Sequence, residues 1–248
     1  MLITYRLAFQ FFTQRFAFSA SVILLLCFLE LLAMYFEGGA GPQFVASAIV
    51  AYSLHRALMF DETSILKSIE EPLRPPAMGR FILVLGAIAV VCIGVAVYAA
   101  ISIPSTPEGG LDGAQLLTLL VVGIVLNYVL LIVFGTAIPA AAAADQFGFG
   151  LTLRRARQTW FRTSVLLLVG PGSYWAVIIA LYLWMRSAGL LVGDVTLEDG
   201  FTLAGLIDLI ITQIIRFFGI LLTVIVLCRI YQPVASQDVK DVINSGLN

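Results

Sequence analysis

The stretch QLLTLLVVGIVLNYVLLIVFGTAI, residues 115–138, contains no acidic and no basic residue. About 20 consecutive apolar residues are enough for a helix to cross the hydrocarbon core of a bilayer. Five other stretches are similarly apolar, so the sequence predicts an all-α fold, a polytopic transmembrane helical bundle. The six predicted spans are 17–36, 43–60, 81–103, 115–138, 164–185 and 204–229.

The composition agrees with a membrane protein. Of the 248 residues, 60% are hydrophobic and only 12% are charged, whereas soluble domains carry about a quarter charged residues. Six helices and their connections use the whole length, so we predict one integral membrane domain over residues 1–248. Cys27, Cys92 and Cys228 all fall within apolar stretches, which favours buried thiols over disulfides or a thiolate metal site.

The basic residues lie almost entirely on one side of this pattern. Twelve of the 14 lysines and arginines flank the spans on the side of both termini, and the opposite connections are acidic. The positive-inside rule therefore predicts that the N- and C-termini are cytoplasmic. The two exceptions are Arg186, at a helix end, and Arg216, within the sixth span. Trp160 and Trp184 fall at opposite ends of the fifth span, where interfacial aromatic residues are expected.

The spacing of the spans suggests a threefold repeat. Asp61 and Asp145 follow the inner ends of spans two and four and are separated by about a third of the chain. Each unit would be an inner-surface helix followed by two spans, with units at 1–61, 62–148 and 149–248. Evenly spaced hairpins would produce the same periodicity without duplication.

The segment from Phe149 to Arg162 is the most distinctive of the predicted inner-surface helices. On a helix, Phe149, Leu153, Ala156 and Trp160 share one side, and the arginines lie on the flank and the opposite side. We predict that this helix contacts lipid headgroups or a partner through its basic residues and tryptophan. These residues are Arg154, Arg155, Arg157, Trp160 and Arg162. The alternative is that the arginines only orient span five.

A family resemblance appears at the same place. A span ends near Pro139, Asp145 follows, and a basic amphipathic helix with Leu153, Arg154 and Arg155 leads into the next span. This element resembles the integral-membrane domain attached to some glycerophosphodiester phosphodiesterases, and stand-alone bacterial six-span relatives of unknown function. The resemblance covers about residues 135–165. It does not extend to a phosphodiesterase catalytic domain, so it implies no enzymatic role.

Ionisable residues inside spans are costly and are candidates for function. Glu30 in span one and Arg216 in span six each lie about 13 residues, or about 20 Å, from the cytoplasmic end, so their equal depth permits an ion pair between them. Asp208 and Thr212 share a helical face with Arg216, and Asn127 in span four lies at similar depth. This polar network either orients the helices or lines a path for a substrate or proton.

Other polar positions support no catalytic or metal site. His55 is the single histidine, and neither HExxH nor CxxC spacing is present; we expect His55 and Arg56 to lie at the membrane interface. Pro171, between two glycines, interrupts span five, either as a packing kink or as a transport site.

These features predict a non-catalytic, multi-pass protein of the bacterial inner membrane. It would act as an interaction, assembly or lipid-contacting component whose partners are the bilayer, with its anionic lipids, and a second membrane protein. The alternative is a transporter or permease component for a small or lipidic solute. We expect no cofactor and no nucleic-acid partner.

Overall fold

A computed structural model describes residues 2–35, 40–60, 75–102, 113–143, 145, 148–188 and 203–245. These residues are helical apart from short turns. The helices are α1 (Leu2–Gln14), α2 (Phe16–Tyr35), α3 (Ala40–Phe60), α4 (Pro75–Ile101), α5 (Gly113–Phe134), α6 (Ala137–Ala142), α7 (Phe149–Leu167), α8 (Ser173–Ser187) and α9 (Leu203–Ser245), with a π-helical turn at Leu168–Gly172 between α7 and α8.

Five stretches of these helices are long and apolar enough to cross a membrane. They are Phe16–Ala33, Met78–Ile101, Leu117–Phe134, Phe149–Met185 and Gly205–Ser236. Large apolar side chains on them point outward; Leu83, Val90 and Tyr98 are each more than two-thirds exposed. Contiguous apolar surface of this kind is unfavourable in water and favourable in lipid. The predicted all-helical fold is confirmed for the described residues. The exposed apolar helices make the chain compatible with a multi-pass membrane protein.

The predicted second span, 43–60, forms helix α3 but is less apolar than the other five. Its mean hydropathy is lowered by Gln43, His55 and Arg56. The predicted fourth span ends at Phe134 rather than at residue 138. A turn at Gly135 and Thr136 separates it from α6, a short and fully buried helix.

The helices group into two compact units. The first unit contains residues Met1–Leu73 and Ser164–Arg229. Its core is formed by α2, α3 and α9, where Val22, Leu54, Phe217 and Leu221 are completely or almost completely buried. Helix α1 packs on this core through Phe11, whose ring meets Phe18 edge to face at 5.9 Å.

The second unit contains Arg74–Thr163 and Ile230–Asn248. Helices α4 and α5 pack together, and α6 packs on α4. The six residues of α6, AIPAAA, are small enough to lie fully buried there. Pro139 is tolerated because it lies in the first turn, where a backbone N–H has no helical partner. The Asp145 N–H donates to the carbonyl of Ala140 at 2.9 Å, which fixes this aspartate just beyond the helix.

The structure joins α7 to α8 without a break in helical backbone. The sequence predicts two separate helices here, an inner-surface helix over 149–162 and span five over 164–185. The structure continues the helix through both and absorbs Pro171 in the π-helical turn. There the Tyr5 hydroxyl donates to the Gly170 carbonyl at 2.9 Å, and the Ser173 hydroxyl donates to the Val169 carbonyl. Side chains thus bond carbonyls beside the proline, where the regular helical ladder is interrupted.

Candidate functional site

Arg216 lies at the centre of a polar network in the first unit. Its Nη1 is 3.4 Å from Glu30 Oε2, and its Nη2 donates to the Ser47 hydroxyl at 2.7 Å and to the Gln43 carbonyl at 3.2 Å. Gln43 Nε2 donates to the second Glu30 oxygen at 2.6 Å. The structure therefore brings Glu30 and Arg216 together, as their equal depth permits, and it adds Gln43 and Ser47 of α3 to the pair.

Gln43 and Ser47 were missed by the sequence reasoning. They are four residues apart on α3 and therefore lie on the same helical face, and Ser47 donates to the Gln43 carbonyl at 2.8 Å. Counting along the predicted spans does not reveal this contact, because Glu30 lies six residues inside the outer end of span one whereas Gln43 is the first residue of span two.

The network compensates two charges in an apolar setting. The side chains of Arg216 and Glu30 are 26% and 14% exposed. An unpaired charge at such a position costs several kcal/mol, whereas here both carboxylate oxygens and both terminal guanidinium nitrogens have partners. The arrangement links α2, α3 and α9 through side chains of all three helices.

The other predicted members of the network are placed differently. Asp208 and Thr212 lie on α9, two turns and one turn before Arg216 on the same face, and both are exposed. Asn127 lies on α5 in the second unit and is exposed there. Their participation in a network with Arg216 stays a prediction.

The part of α9 that carries Arg216 is held closely against α8. The Tyr174 hydroxyl donates to the Ile215 carbonyl at 2.9 Å. Gly219 lies so near the Trp175 ring that a β-carbon there would be 2.6 Å from Cζ2. Glycine is therefore required for the approach of the two helices. These contacts fix the position of the backbone on both sides of Arg216.

His55 and Arg56 depart from their expected interfacial positions. His55 is buried, with Nδ1 2.7 Å from the Ala51 carbonyl. Arg56 is also buried, and its guanidinium lies over the Phe60 ring at 4.7 Å. The polar residues of α3 are thus turned into the protein. Among the described residues, no group of three or more His, Cys, Asp or Glu side chains could hold a metal ion, and Cys27, Cys92 and Cys228 are buried free thiols.

The basic helix α7 has an exposed face and a buried face. Arg154, Arg157 and Arg162 are exposed, together with Trp160 and Phe161. Four residues of the predicted contact set are therefore exposed, together with one further aromatic ring. We call these exposed residues the basic-aromatic face: Arg154, Arg157, Trp160, Phe161 and Arg162. Its members suit contact with anionic groups at a membrane surface, because arginine binds phosphate and tryptophan prefers the interface.

Arg155, the remaining residue of the predicted contact set, is buried and not exposed. It is 3% exposed, and its guanidinium is 4.0 Å from the Asp145 carboxylate and 5.4 Å from the centre of the Tyr231 ring. The Tyr231 hydroxyl donates to the same Asp145 oxygen. Arg155 therefore contacts protein groups rather than headgroups. Sequence reasoning missed Tyr231, since its contact with Asp145 depends on where α9 passes.

Comparisons with known proteins give no relative. No family model, no curated protein and no solved structure matches the chain. The geometry of these sites is therefore what indicates function.

Proposed function

We propose that this chain is a non-catalytic, multi-pass protein of the bacterial inner membrane that acts as an interaction, assembly or lipid-contacting component. In this proposal all six predicted spans cross the bilayer, with both termini in the cytoplasm. The observation that carries the role is the basic-aromatic face of α7. Three arginines and two aromatic rings are presented outward there, while Arg155, next to them in sequence, is neutralised inside the protein.

The properties of helix α3 support the proposal that six helices, and not five, cross the bilayer. It has 21 residues, about 31 Å at 1.5 Å per residue, which matches the bilayer core. The residues that lower its hydropathy face inward: Gln43 joins Glu30 and Arg216, and His55 and Arg56 are buried. A span is allowed polar groups where they contact protein rather than lipid.

The proposed orientation is supported by charge and by tryptophan. All arginines of the basic-aromatic face lie on the side that the positive-inside rule assigns to the cytoplasm. Trp160 and Trp184 are both exposed. They lie near opposite ends of the predicted fifth span, so the two rings suit opposite interfaces.

The threefold repeat belongs to the same proposal. An amphipathic helix followed by two apolar helices occurs as α1, α2 and α3, and again as α7, α8 and α9. In the predicted middle unit, Asp61 and most of the inner-surface segment 62–80 lie outside the described residues. The pair α4 and α5 follows them.

The test is purification of the full chain in mild detergent, followed by identification of bound proteins and lipids. We expect a stoichiometric protein partner or retained anionic lipid. Replacing Arg157 and Arg162 together by glutamine should reduce recovery about tenfold or more, since each arginine at a membrane surface contributes roughly 1 kcal/mol. The control is the double lysine variant, which keeps the positive charge that directs insertion. Equal recovery with the glutamine pair would contradict the proposal.

One observation favours the alternative, a transporter or permease component. Arg216 remains about a quarter exposed, and α9 packs beside the π-helical turn that contains Pro171, a helical irregularity that is frequent at functional sites. A protein recovered without partner or lipid, which moves a solute across vesicle membranes, would favour this function. The contacts of Arg216 with Glu30, Gln43 and Ser47 favour the structural role.

A further inference from the structure

A polar side chain is exposed near the middle of an apolar helix in the second unit. The stretch Leu117–Phe134 of α5 is long and apolar enough to cross a membrane, and none of its described side chains is buried in the protein. Asn127 lies ten residues after Leu117 and seven before Phe134, so about 10 Å or more of helix separates it from either end. Asn127 is exposed, and its amide forms no hydrogen bond with the part of the chain that the structure describes.

This amide needs a polar partner that its own surroundings do not supply. The Asn127 side chain has two N–H donors and a carbonyl acceptor, and placing such groups in hydrocarbon without partners is costly. Helix α4 packs against α5, but from Phe81 to Val97 it carries no hydroxyl, amide or charged side chain. Lipid covers the apolar side chains of α5 favourably, whereas acyl chains offer no hydrogen bond to Asn127.

We propose that the partner is a second copy of this chain, and that two copies form a symmetric dimer in which the Asn127 amides hydrogen-bond to each other. The inference rests on the proposed membrane-spanning arrangement, because α5 must cross the bilayer. It goes further by naming the assembly partner and the helix that contacts it.

Symmetry is the reason for a second copy. All copies of a membrane protein insert with the same orientation, so a twofold axis between two copies runs along the membrane normal. Across such an axis each residue lies at the same depth as its counterpart. An amide is both donor and acceptor, so two Asn127 side chains satisfy each other without any other polar residue. A different protein would need a polar group of its own at this depth.

The neighbours of Asn127 suit contact between two helices. Ile124 lies one turn before Asn127 on the same side of α5 and is 59% exposed. Leu131 lies one turn after it on that side and is partly exposed. These side chains can pack around the amides and exclude lipid from them. Close packing and interhelical hydrogen bonds are the interactions that associate helices in a membrane.

The experiment measures self-association of the full-length protein in lipid vesicles. Energy transfer between two fluorescently labelled populations is followed over a range of protein-to-lipid ratios. We expect a dimer, and Asn127→Leu should weaken it about tenfold through loss of the interhelical hydrogen bonds. Asn127→Gln keeps an amide and should retain most of the association. The matched control is Val129→Leu, on the opposite side of α5, where Val129 is exposed; it should dimerise like the wild-type protein.

Two further measurements separate a lost contact from a lost fold. Thermal unfolding in excess detergent, where copies are apart, should give the same midpoint for Asn127→Leu as for the wild-type protein. After Cys27, Cys92 and Cys228 are replaced by alanine, Ile124→Cys should be cross-linked between copies by a short bifunctional maleimide. Val129→Cys should not be cross-linked.

Several results would overturn the inference. They are a monomeric wild-type protein, an Asn127→Leu variant that dimerises as strongly as the wild type, and cross-linking at position 129 rather than 124. A monomer that binds a different protein, or that moves a solute, through Asn127 would overturn it as well. If the dimer is absent but the Arg157 and Arg162 variant still loses a bound partner or lipid, the dimer is wrong and the proposed function stands.

Discussion

At the scale of single residues, the ion pair between Glu30 and Arg216 is the clearest case of a charge that must be matched. Replacing Arg216 by glutamine leaves the Glu30 carboxylate with Gln43 alone. We expect a loss of about 3 kcal/mol of unfolding free energy, at the lower end for a broken buried pair because Arg216 is partly exposed. Denaturant titration of the protein in mixed micelles measures it.

The double variant Glu30→Gln with Arg216→Gln is the control for this prediction. It removes both charges and leaves amides that can hydrogen-bond to each other. Its destabilisation should be smaller than the sum of the two single variants by at least about 1 kcal/mol. Strict additivity would show that the pair is not coupled.

The same residues show how far sequence reasoning reaches. Depth along a span depends only on counting, so Glu30 and Arg216 can be matched from the sequence alone. The participation of Gln43 and Ser47 depends on which side of α3 faces α2. Counting residues along a span does not give the rotation of a helix about its axis. Arg154 and Arg155 are adjacent and chemically identical, yet one is exposed and the other buried. Asp145 and Tyr231 determine the difference, and Tyr231 lies in a distant helix.

At the scale of helices, the absence of a β-carbon at Gly219 allows α8 and α9 to pack closely. A methyl group at Gly219 would lie 2.6 Å from the Trp175 ring, closer than carbon atoms approach. Gly219→Ala should therefore destabilise the protein by about 1 kcal/mol, the cost of overpacking less the gain in helix propensity. Thermal unfolding in detergent measures the change.

The matched control for Gly219→Ala is Gly94→Ala. Gly94 lies within α4, and nothing lies within 4 Å of a β-carbon built there. The substitution should be neutral or slightly stabilising. Combining Gly219→Ala with Trp175→Leu should recover part of the lost stability, because the shorter side chain leaves room for the methyl group. If Gly219→Ala behaves like Gly94→Ala, the two helices do not need the glycine.

Helix boundaries were predicted less well than helix positions. Helix α7 was predicted from its amphipathic pattern, and apolar length predicted helices α2, α3, α4, α5, α8 and α9. It did not predict that α5 ends at Phe134 or that α6 is a separate buried helix. Both stretches are apolar, so hydropathy does not distinguish lipid from protein surroundings. The continuous helix through Pro171 was also unexpected, since the neighbouring Gly170 carbonyl is bonded by Tyr5, which is distant in sequence.

At the scale of the whole molecule, the membrane topology depends on α3. With six spans the two termini lie on the same side of the membrane, and with five they lie on opposite sides. Helix α3 differs from the five candidate spans in its lower hydropathy. The polar residues that lower its hydropathy contact protein. Because buried polar groups do not meet lipid, they add little to the cost of insertion.

We therefore predict that a reporter fused after Gly39 and a reporter fused after Asp61 lie on opposite sides of the membrane. A periplasm-dependent enzyme should be active at the first position and inactive at the second, and a cytoplasm-dependent fluorescent protein should give the reverse. Fusion of the fluorescent protein after Asn248 should also be fluorescent. Equal signals after Gly39 and Asp61 would mean that α3 does not cross the membrane, and the proposed orientation of the basic-aromatic face would then be wrong.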